Sequence, residues 1–473
     1  MISRRLARVA ASALVLPLVI GSGYALAGEE AAAPGSSGVG DSYWPLDGNG
    51  GIDVASYKIK NSYNLKTFNL RGSTTLELTA TADLSRFNLD FLLPVRKVTI
   101  DRAQVDFNQN KRHELAISPV KPLVAGSTYT VKVSYAGNPK KQRYAGESNW
   151  LANTREVVTM NEPHMAPWWF PSNDHPIDKA TFDISTTVAR GREVISNGTL
   201  VSKRRHKRST TWRWRAEEPM TTYLAFFAAG DFTIKKGTRN GLPWLNAVSQ
   251  QLSPYDQKAS MKLMSRTPRV VEALSSDLGP YPFSVTGGLT TGLPVYFALE
   301  NQTRPTYPAV GSNAVSLVVH ELAHQWFGDD VAIARWRDIW LNEGAATFME
   351  WRYAEQHGGP SAAATMRERY DLYDASNRFW KLSIADPGPS NVFDGAVYDR
   401  GGMTLQALRT RLGEEQFWLL IRTWLADKSG GNGTSEEFEA LAEQVSGQDL
   451  TEFFTAWLRT KSKPAATAVN GLG

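Results

Sequence analysis

The chain contains no cysteine among its 473 residues. Disulfide bonds, thiolate metal ligands and lipid attachment to an N-terminal cysteine are therefore all excluded. Histidine is scarce as well, with only seven residues. Any metal site in this protein must consequently combine a few imidazoles with carboxylates.

Long apolar runs are also missing. No stretch after residue 27 approaches the roughly 20 apolar residues that a membrane-spanning helix needs. The formal net charge is +5, and Arg4, Arg5 and Arg8 lie in the segment before residue 27. So small a positive balance does not indicate a nucleic-acid partner, and no stable membrane insertion is expected once that segment is removed.

The first 27 residues have the pattern of a signal peptide for export. Arginines precede a short apolar run over residues 9–20, and Ala25-Leu26-Ala27 is a small-x-small cleavage site. We therefore expect a secreted, extracellular protein whose fold excludes residues 1–27. Because Ser3-Arg4-Arg5 partly resembles a twin-arginine signal, both general secretion and the twin-arginine route stay open.

The next part of the chain has the hydrophobic period of β-structure. Residues 28–50 are rich in Gly, Ala, Ser and Asp, which predicts a flexible leader. Residues 51–235 alternate apolar and polar side chains, as in Tyr129, Val131 and Tyr135. This alternation predicts a β-rich N-terminal domain of mainly antiparallel sheet.

After about residue 235 the period changes to 3.6, which predicts a mainly helical domain over residues 236–462. Helix-like stretches cover residues 258–278, 313–328, 338–357, 402–412, 414–426 and 435–445. The Pro, Ala and Gly residues of 463–473 predict a flexible tail. The fold class is therefore α+β with two domains.

The segment His320-Glu321-Leu322-Ala323-His324 places two imidazoles four residues apart. On a helix that turns about 100° per residue, both rings face the same side, one turn apart. Glu321 lies between them on the helix surface, where its carboxylate can serve as general base toward a water molecule beside a metal. The similar segment His113-Glu114-Leu115-Ala116 lacks the second His and alternates like a strand, so we expect it to be structural.

Glu343 follows His324 by nineteen residues, at the start of a second helical stretch. A helix, a turn and a second helix packed on the first bring this carboxylate to the third corner of a tetrahedron. Two His and one Glu leave the fourth position for water, which is typical of catalytic zinc. The pattern predicts one Zn²⁺ ion held by His320, His324 and Glu343.

These motifs resemble those of the aminopeptidase N family of zinc metallopeptidases, the gluzincins that also include leukotriene A hydrolase. The resembling segments are residues 320–328, 340–344, 222–232 and 279–283. The resemblance implies a β-rich N-terminal domain followed by a thermolysin-like catalytic domain, without the family's C-terminal helical cap domain. It also implies one zinc ion and peptide or protein substrates.

The same resemblance implies the substrate-binding residues. Phe297-Ala298-Leu299-Glu300-Asn301 is similar to the family's Gly-x-Met-Glu-Asn motif, in which Glu binds the free amino terminus of the substrate. Glu300 takes that role here, with Ala298 and Asn301 beside it. Glu162 aligns with a second amine-binding position, and Tyr398 resembles the family's tyrosine that stabilises the oxyanion.

The most direct interpretation is a zinc-dependent aminopeptidase that hydrolyses the N-terminal peptide bond of peptides. Phe297 replaces the family's glycine, which admits the substrate backbone, so a zinc endopeptidase with an open cleft is one alternative. A non-catalytic peptide-binding protein of the same fold is the other. The retained general base, metal ligands and oxyanion donor favour an enzyme.

Overall fold

Strands with one buried face build the first half of the chain. The computed structural model describes residues 32–110 and 113–472, and the expected signal peptide at residues 1–27 lies outside them. In the strand Ile52–Asn64, every second side chain from Tyr57 onward is buried. Val131 and Tyr135 are also buried, as the alternation predicts.

Most of these strands join one sheet, which has eleven strands among the described residues. In spatial order they are Ala33–Pro34, Leu84–Asp90, Glu114–Ser118, Ala103–Gln109, Val95–Ile100, Thr128–Gly137, Asn69–Ala80, Ile52–Asn64, Ala180–Ala189, Ser209–Met220 and Thr199–Arg205. A smaller sheet contains Glu193–Ser196, Phe227–Gly230, Val157–Val158 and Leu151–Ala152. The strand pairs of these two sheets are antiparallel apart from two, in which Ala33–Pro34 runs parallel to Leu84–Asp90 and Ile52–Asn64 runs parallel to Ala180–Ala189.

The second domain opens with a sheet of its own. Its strands, in spatial order, are Phe232–Arg239, Leu242–Ser249, Thr286–Thr290 and Thr306–Tyr307. The strand Phe232–Arg239 therefore crosses the boundary expected at residue 235 and belongs with the second domain. A short two-stranded pairing joins Ala332–Ile333 to Asn432–Gly433.

Helices make up the remainder of this domain. They are α1 Pro254–Met264, α2 Thr267–Leu278, α3 Val315–Ala323, α4 Trp340–Gln356, α5 Ala362–Leu372, α6 Gly395–Leu412, α7 Glu414–Asp427, α8 Ser435–Ser446 and α9 Thr451–Phe454. The helix expected over residues 258–278 is in fact two helices, α1 and α2. Pro268 lies in the first turn of α2, where the N–H that proline lacks would have no partner within the helix. Among the described residues, none of the helices is both long and apolar enough to cross a membrane.

The expectation of a flexible leader over residues 28–50 is wrong for residues 32–50. Asp41 accepts hydrogen bonds from the backbone N–H of Tyr43 at 2.8 Å and from that of Trp336 at 3.0 Å. The Tyr43 hydroxyl donates to Asp386 at 2.6 Å. The polar side chains of the leader thus bind backbone and side-chain groups of the folded domains.

The expectation of a flexible tail over residues 463–473 is likewise wrong for residues 463–472. The Trp457 indole N–H donates to the carbonyl of Asn470, and Leu472 is buried. Gly471 has a φ of 66°, and a Cβ atom there would lie 2.1 Å from the carbonyl oxygen of Ala407 in α6. Glycine therefore permits the close approach that holds the tail against the domain.

Lys179 joins the first domain to the loop that follows α3. Its Nζ donates to the carbonyls of Asp329 at 2.9 Å and Asp330 at 2.7 Å, and lies 3.5 Å from that of Gly431. Burial lowers the pKa of Lys179 to about 8, against the opposing charges of Asp330 and Asp329. The contact fixes the loop after the metal-binding helix to the sheet domain.

We expect Lys179→Met to lower the free energy of unfolding by about 2 kcal/mol, because the backbone carbonyls of Asp329 and Asp330 lose a charged donor. Urea unfolding at pH 7 measures the effect. Lys132 is exposed on the strand Thr128–Gly137, so Lys132→Met is a matched control with an expected change within about 0.5 kcal/mol. Equal effects of the two substitutions would contradict this account of the contact.

The stability gap between wild type and Lys179→Met should also widen as the pH rises. Between the native pKa of about 8 and the unfolded value of about 10.4, the unfolded chain binds a proton that the native lysine has released. Stability contributed by Lys179 therefore increases with pH in this window. Unfolding at pH 7 and pH 10 tests the sign, and a narrowing gap would contradict it.

Candidate active site

Helix α3 carries the first predicted histidine ligand, His320, and the second, His324, caps its C-terminal end. The helix buries its apolar side chains Val318, Val319 and Leu322, which fixes its rotation against the core. His320 and His324 therefore project together, with ring centroids 4.8 Å apart. Both imidazoles are buried. Their four-residue spacing places both rings on one side of the helix, as ligands of one ion require.

Glu343, in the first turn of α4, completes the group of predicted ligands. Its Oε2 atom lies 3.2 Å from Nε2 of His320 and 3.4 Å from Nε2 of His324. In a tetrahedral zinc site with bonds of about 2.0–2.1 Å, neighbouring donor atoms lie about 3.3 Å apart. The donor types and their spacing therefore fit a single Zn²⁺ ion.

The other ring nitrogens fix the orientation of both imidazoles. Nδ1 of His320 lies 2.9 Å from Oε1 of Glu350, and Nδ1 of His324 lies 3.0 Å from the carbonyl oxygen of Phe327. With Nδ1 protonated and donating, each Nε2 keeps its lone pair for a metal. Sequence analysis missed Glu350, although it follows Glu343 by seven residues, two turns along the same helix face.

The charges of the three ligands favour a cation between them. Burial alone would raise the pKa of Glu343, but the nearby His324 and His320 lower it to about 2. Burial would lower the pKa of His324, but Glu343 raises it to about 9. The group thus binds protons that a divalent ion displaces.

Glu321 lies in the same cleft and is buried. Burial raises the pKa of its carboxyl to about 8, although His320 and His324 act in the opposite direction. A dication beside it would lower the pKa of Glu321 from this raised value. The carboxyl is therefore suited to take up and release one proton near neutral pH.

Two glycines let helices α4 and α6 touch backbone to backbone. A Cβ atom at Gly344 would lie 2.7 Å from the Cα atom of Gly401. This contact brings Tyr398 of α6 to the metal ligands, where its ring stacks on His320 with centroids 5.9 Å apart. Burial raises the pKa of Tyr398 well above its ordinary value, so the phenol keeps its proton and can donate it in a hydrogen bond.

Arg400 stands near Tyr398 in sequence but serves the fold. Its guanidinium donates to the backbone carbonyls of Trp457, Leu382, Ala456 and Thr460. The side chain is buried and tied to the end of the domain rather than to the cleft. Tyr398 lines the candidate site, whereas Arg400 does not.

The two predicted amine-binding carboxylates meet where the domains adjoin. Glu162 from the first domain and Glu300 from the second line one cleft of about 530 Å³, together with the metal ligands. Burial, and then the charge of Glu300, raises the pKa of Glu162 well above its ordinary value. Its Oε1 atom is buried and accepts no hydrogen bond, whereas Oε1 of Glu300 accepts one from the Tyr223 hydroxyl at 3.1 Å.

Gln325 holds the segment that carries Glu300 against the metal-binding helix. Its Nε2 donates to the carbonyl of Glu300 at 2.9 Å, and its Oε1 accepts from the backbone N–H of Thr303 at 2.7 Å. Phe297 and Ala298, at the start of this segment, line the cleft. Sequence analysis missed Gln325 because its partners are more than twenty residues away.

Asn301 does not occupy the position that the resemblance implies for a substrate contact. Its Nδ2 donates to the carbonyl of Leu224 at 3.1 Å, and its Oδ1 accepts from the Thr306 hydroxyl at 2.9 Å. The side chain is completely buried. Its amide is therefore used to position the segment beside the cleft.

Comparison with known protein families follows the two structural domains. Residues 54–224 match the peptidase M1 N-terminal domain, and residues 287–457 match the peptidase family M1 domain. The chain belongs to peptidase family M1. Its β-rich first domain and helical catalytic domain are the two-domain M1 fold, which confirms the resemblance to the aminopeptidase N family.

Individual M1 proteins are similar along most of the chain. An M1 zinc metallopeptidase from Deinococcus radiodurans is 26% identical, with a TM-score of 0.82 over 90% of this chain and 99% of that one. Aminopeptidase N of Lactococcus lactis is 25% identical, over 80% of this chain and 47% of its own. Tricorn protease-interacting factor F2 of Thermoplasma acidophilum is 24% identical, over 88% and 54%. The chain thus spans about half the length of these curated relatives.

We expect Glu350→Gln to weaken zinc binding about 10- to 100-fold, because His320 loses the anion that orients its ring. Competition with a chromophoric chelator measures the affinity. Glu368→Gln, at an exposed position of α5, is the matched control and should leave the affinity unchanged. An unaltered affinity in Glu350→Gln would contradict the role given to this carboxylate.

Proposed function

We propose that the protein is a zinc-dependent aminopeptidase that hydrolyses the N-terminal peptide bond of peptides. The observation that carries this proposal is the pair of carboxylates in the cleft with the His-His-Glu ligands, Glu300, which is buried, and Glu162, whose Oε1 atom is buried. A buried anion with an unfilled acceptor favours an ammonium group over a neutral peptide amide. Only the first peptide bond of a substrate held there would reach the ligands.

The three metal ligands, the general base and the tyrosine of the cleft then each have a chemical role. His320, His324 and Glu343 would hold a zinc ion, which supplies Lewis acidity for the scissile carbonyl and lowers the pKa of water. Glu321 takes the proton of the attacking water and passes it to the leaving amine. Tyr398 donates a hydrogen bond to the oxyanion as charge develops on the carbonyl oxygen.

The similar proteins support the substrate class and the two-domain unit. One of them is named aminopeptidase N, and a mutant of the Deinococcus protein has been described with a Tyr-Ser-Ala substrate bound. A structure described as a two-domain M1 zinc metallopeptidase matches with a TM-score of 0.82 over 99% of its length. We propose that these two domains suffice for peptide hydrolysis, with a cleft that accepts longer peptides.

We also propose that the protein is secreted and acts outside the cell. The support is the arginine-led apolar run and the Ala25-Leu26-Ala27 site. Mass spectrometry of the N-terminus of secreted protein tests this proposal. A secreted chain that begins at Gly28 is the expected product, and retention of the intact chain inside the cell would contradict it.

Glu321→Gln is expected to lower kcat by about 10²–10⁴-fold, because the amide cannot accept the proton of water. Zinc should remain at one equivalent per chain, since the metal ligands are unchanged. Hydrolysis of an aminoacyl-arylamide and metal analysis of the same samples measure both quantities. Retained activity, or loss of zinc together with activity, would contradict the assignment.

A free and an N-acetylated peptide of one sequence separate the aminopeptidase from the endopeptidase alternative. We expect the free peptide alone to be hydrolysed, one residue at a time. Glu300→Gln should lower kcat/KM for the free peptide about 10- to 100-fold, through loss of a charged hydrogen bond. Glu217→Gln, at an exposed position, is the control, and equal cleavage of both peptides by the wild type would identify an endopeptidase.

A further inference from the structure

A second group of buried carboxylates and imidazoles lies inside the first domain and shares no residue with the cleft. Asp90 ends the strand Leu84–Asp90, and Glu114 faces it at the start of the neighbouring strand. His113 precedes Glu114, and Asp47 joins them from the leader. All four side chains are almost completely buried.

Four oxygen atoms of this group accept no hydrogen bond. They are Oδ1 of Asp47, Oδ1 of Asp90 and both carboxylate oxygens of Glu114. The second oxygens of the two aspartates are occupied. Oδ2 of Asp47 lies 2.5 Å from Nε2 of His164, and Oδ2 of Asp90 accepts from Asn49 Nδ2 at 3.0 Å. One side of each aspartate is thus anchored, while the other side faces His113.

The imidazole of His113 lies at ion-pair distances from all three carboxylates, and these distances also suit ligands of one metal ion. Nε2 of His113 lies 3.5 Å from Oδ1 of Asp47 and 3.6 Å from Oδ1 of Asp90. A hydrogen bond between these atoms would measure about 2.9 Å. One donor atom each from Asp90, His113 and Glu114 fits within 4.8 Å, as for the ligands His320, His324 and Glu343.

We propose that Asp90, His113 and Glu114, with Asp47, bind a divalent metal ion that accepts mixed imidazole and carboxylate ligands, Mn²⁺ or Zn²⁺. Three buried carboxylates around the one imidazole of His113 are costly, and a dication in the space between them compensates their charge beyond what that imidazole supplies. The imidazole selects against Ca²⁺ and Mg²⁺, which prefer oxygen ligands. The ion ties the leader, through Asp47, to two neighbouring strands of the sheet.

Metal stoichiometry of the full-length protein tests this site. The protein is saturated with Zn²⁺ or Mn²⁺ in separate samples, freed of excess metal by gel filtration, and measured by inductively coupled plasma mass spectrometry. We expect two equivalents per chain in the wild type with the preferred metal. The double variant Asp90→Asn/Glu114→Gln should keep one equivalent, and so should His320→Ala/His324→Ala, which empties only the cleft.

Glu156→Gln is the matched control for removal of a buried carboxylate. Glu156 is completely buried, and its oxygens accept hydrogen bonds from Thr291, Gly292, Ser249 and Gln251. This variant should keep two equivalents, because its carboxylate lies outside the proposed site.

One equivalent in the wild type with both metals overturns the inference and leaves the proposed function in place. Two equivalents in Asp90→Asn/Glu114→Gln also overturn it, because the second ion then binds elsewhere. Should that double variant fail to fold, His320→Ala/His324→Ala decides the matter. One equivalent of metal per chain in this variant supports the proposed site, and a variant that binds no metal overturns the inference.

Discussion

The convergence of three donor atoms from two helices is the constraint on which the rest of the site depends. Helix α3 can present His320 and His324 together only because its apolar side chains fix its rotation in the core. Helix α4 adds Glu343 within 3.4 Å of both imidazoles. The glycine contact between α4 and α6 then places Tyr398 beside the same ligands.

The boundary between the domains matters as much as the metal ligands. The catalytic domain contributes Glu300 and Glu321, but Glu162 reaches the cleft from the β-rich domain. Lys179 fixes that domain to the loop after α3, and Tyr43 of the leader bonds to Asp386 of the second domain. Preference for a free amino terminus, as proposed, would therefore depend on how rigidly the two domains are joined.

Much of this arrangement could be predicted from residue spacing. The four-residue interval between His320 and His324, and the change of hydrophobic period near residue 235, are local signals that a sequence shows directly. They are reliable because a helix or strand converts them into geometry without help from distant residues. The metal ligands and the order of the domains follow from them.

Other features depend on distant contacts and left no such signal. The leader was expected to be flexible from its composition, yet Asp41 and Tyr43 are bound by groups more than a hundred residues away. Asn301 lies in a motif associated with substrate binding, but its amide bonds to Leu224 and Thr306. Composition and motif describe what a side chain can do, whereas the tertiary neighbours decide which of those contacts it makes.

Anomalous scattering at the zinc edge, from crystals of the purified full-length protein, tests the central claim most directly. The account predicts a peak within about 2.0–2.2 Å of Nε2 of His320, Nε2 of His324 and a carboxylate oxygen of Glu343. Zinc-loaded crystals without a peak among these three residues would contradict it.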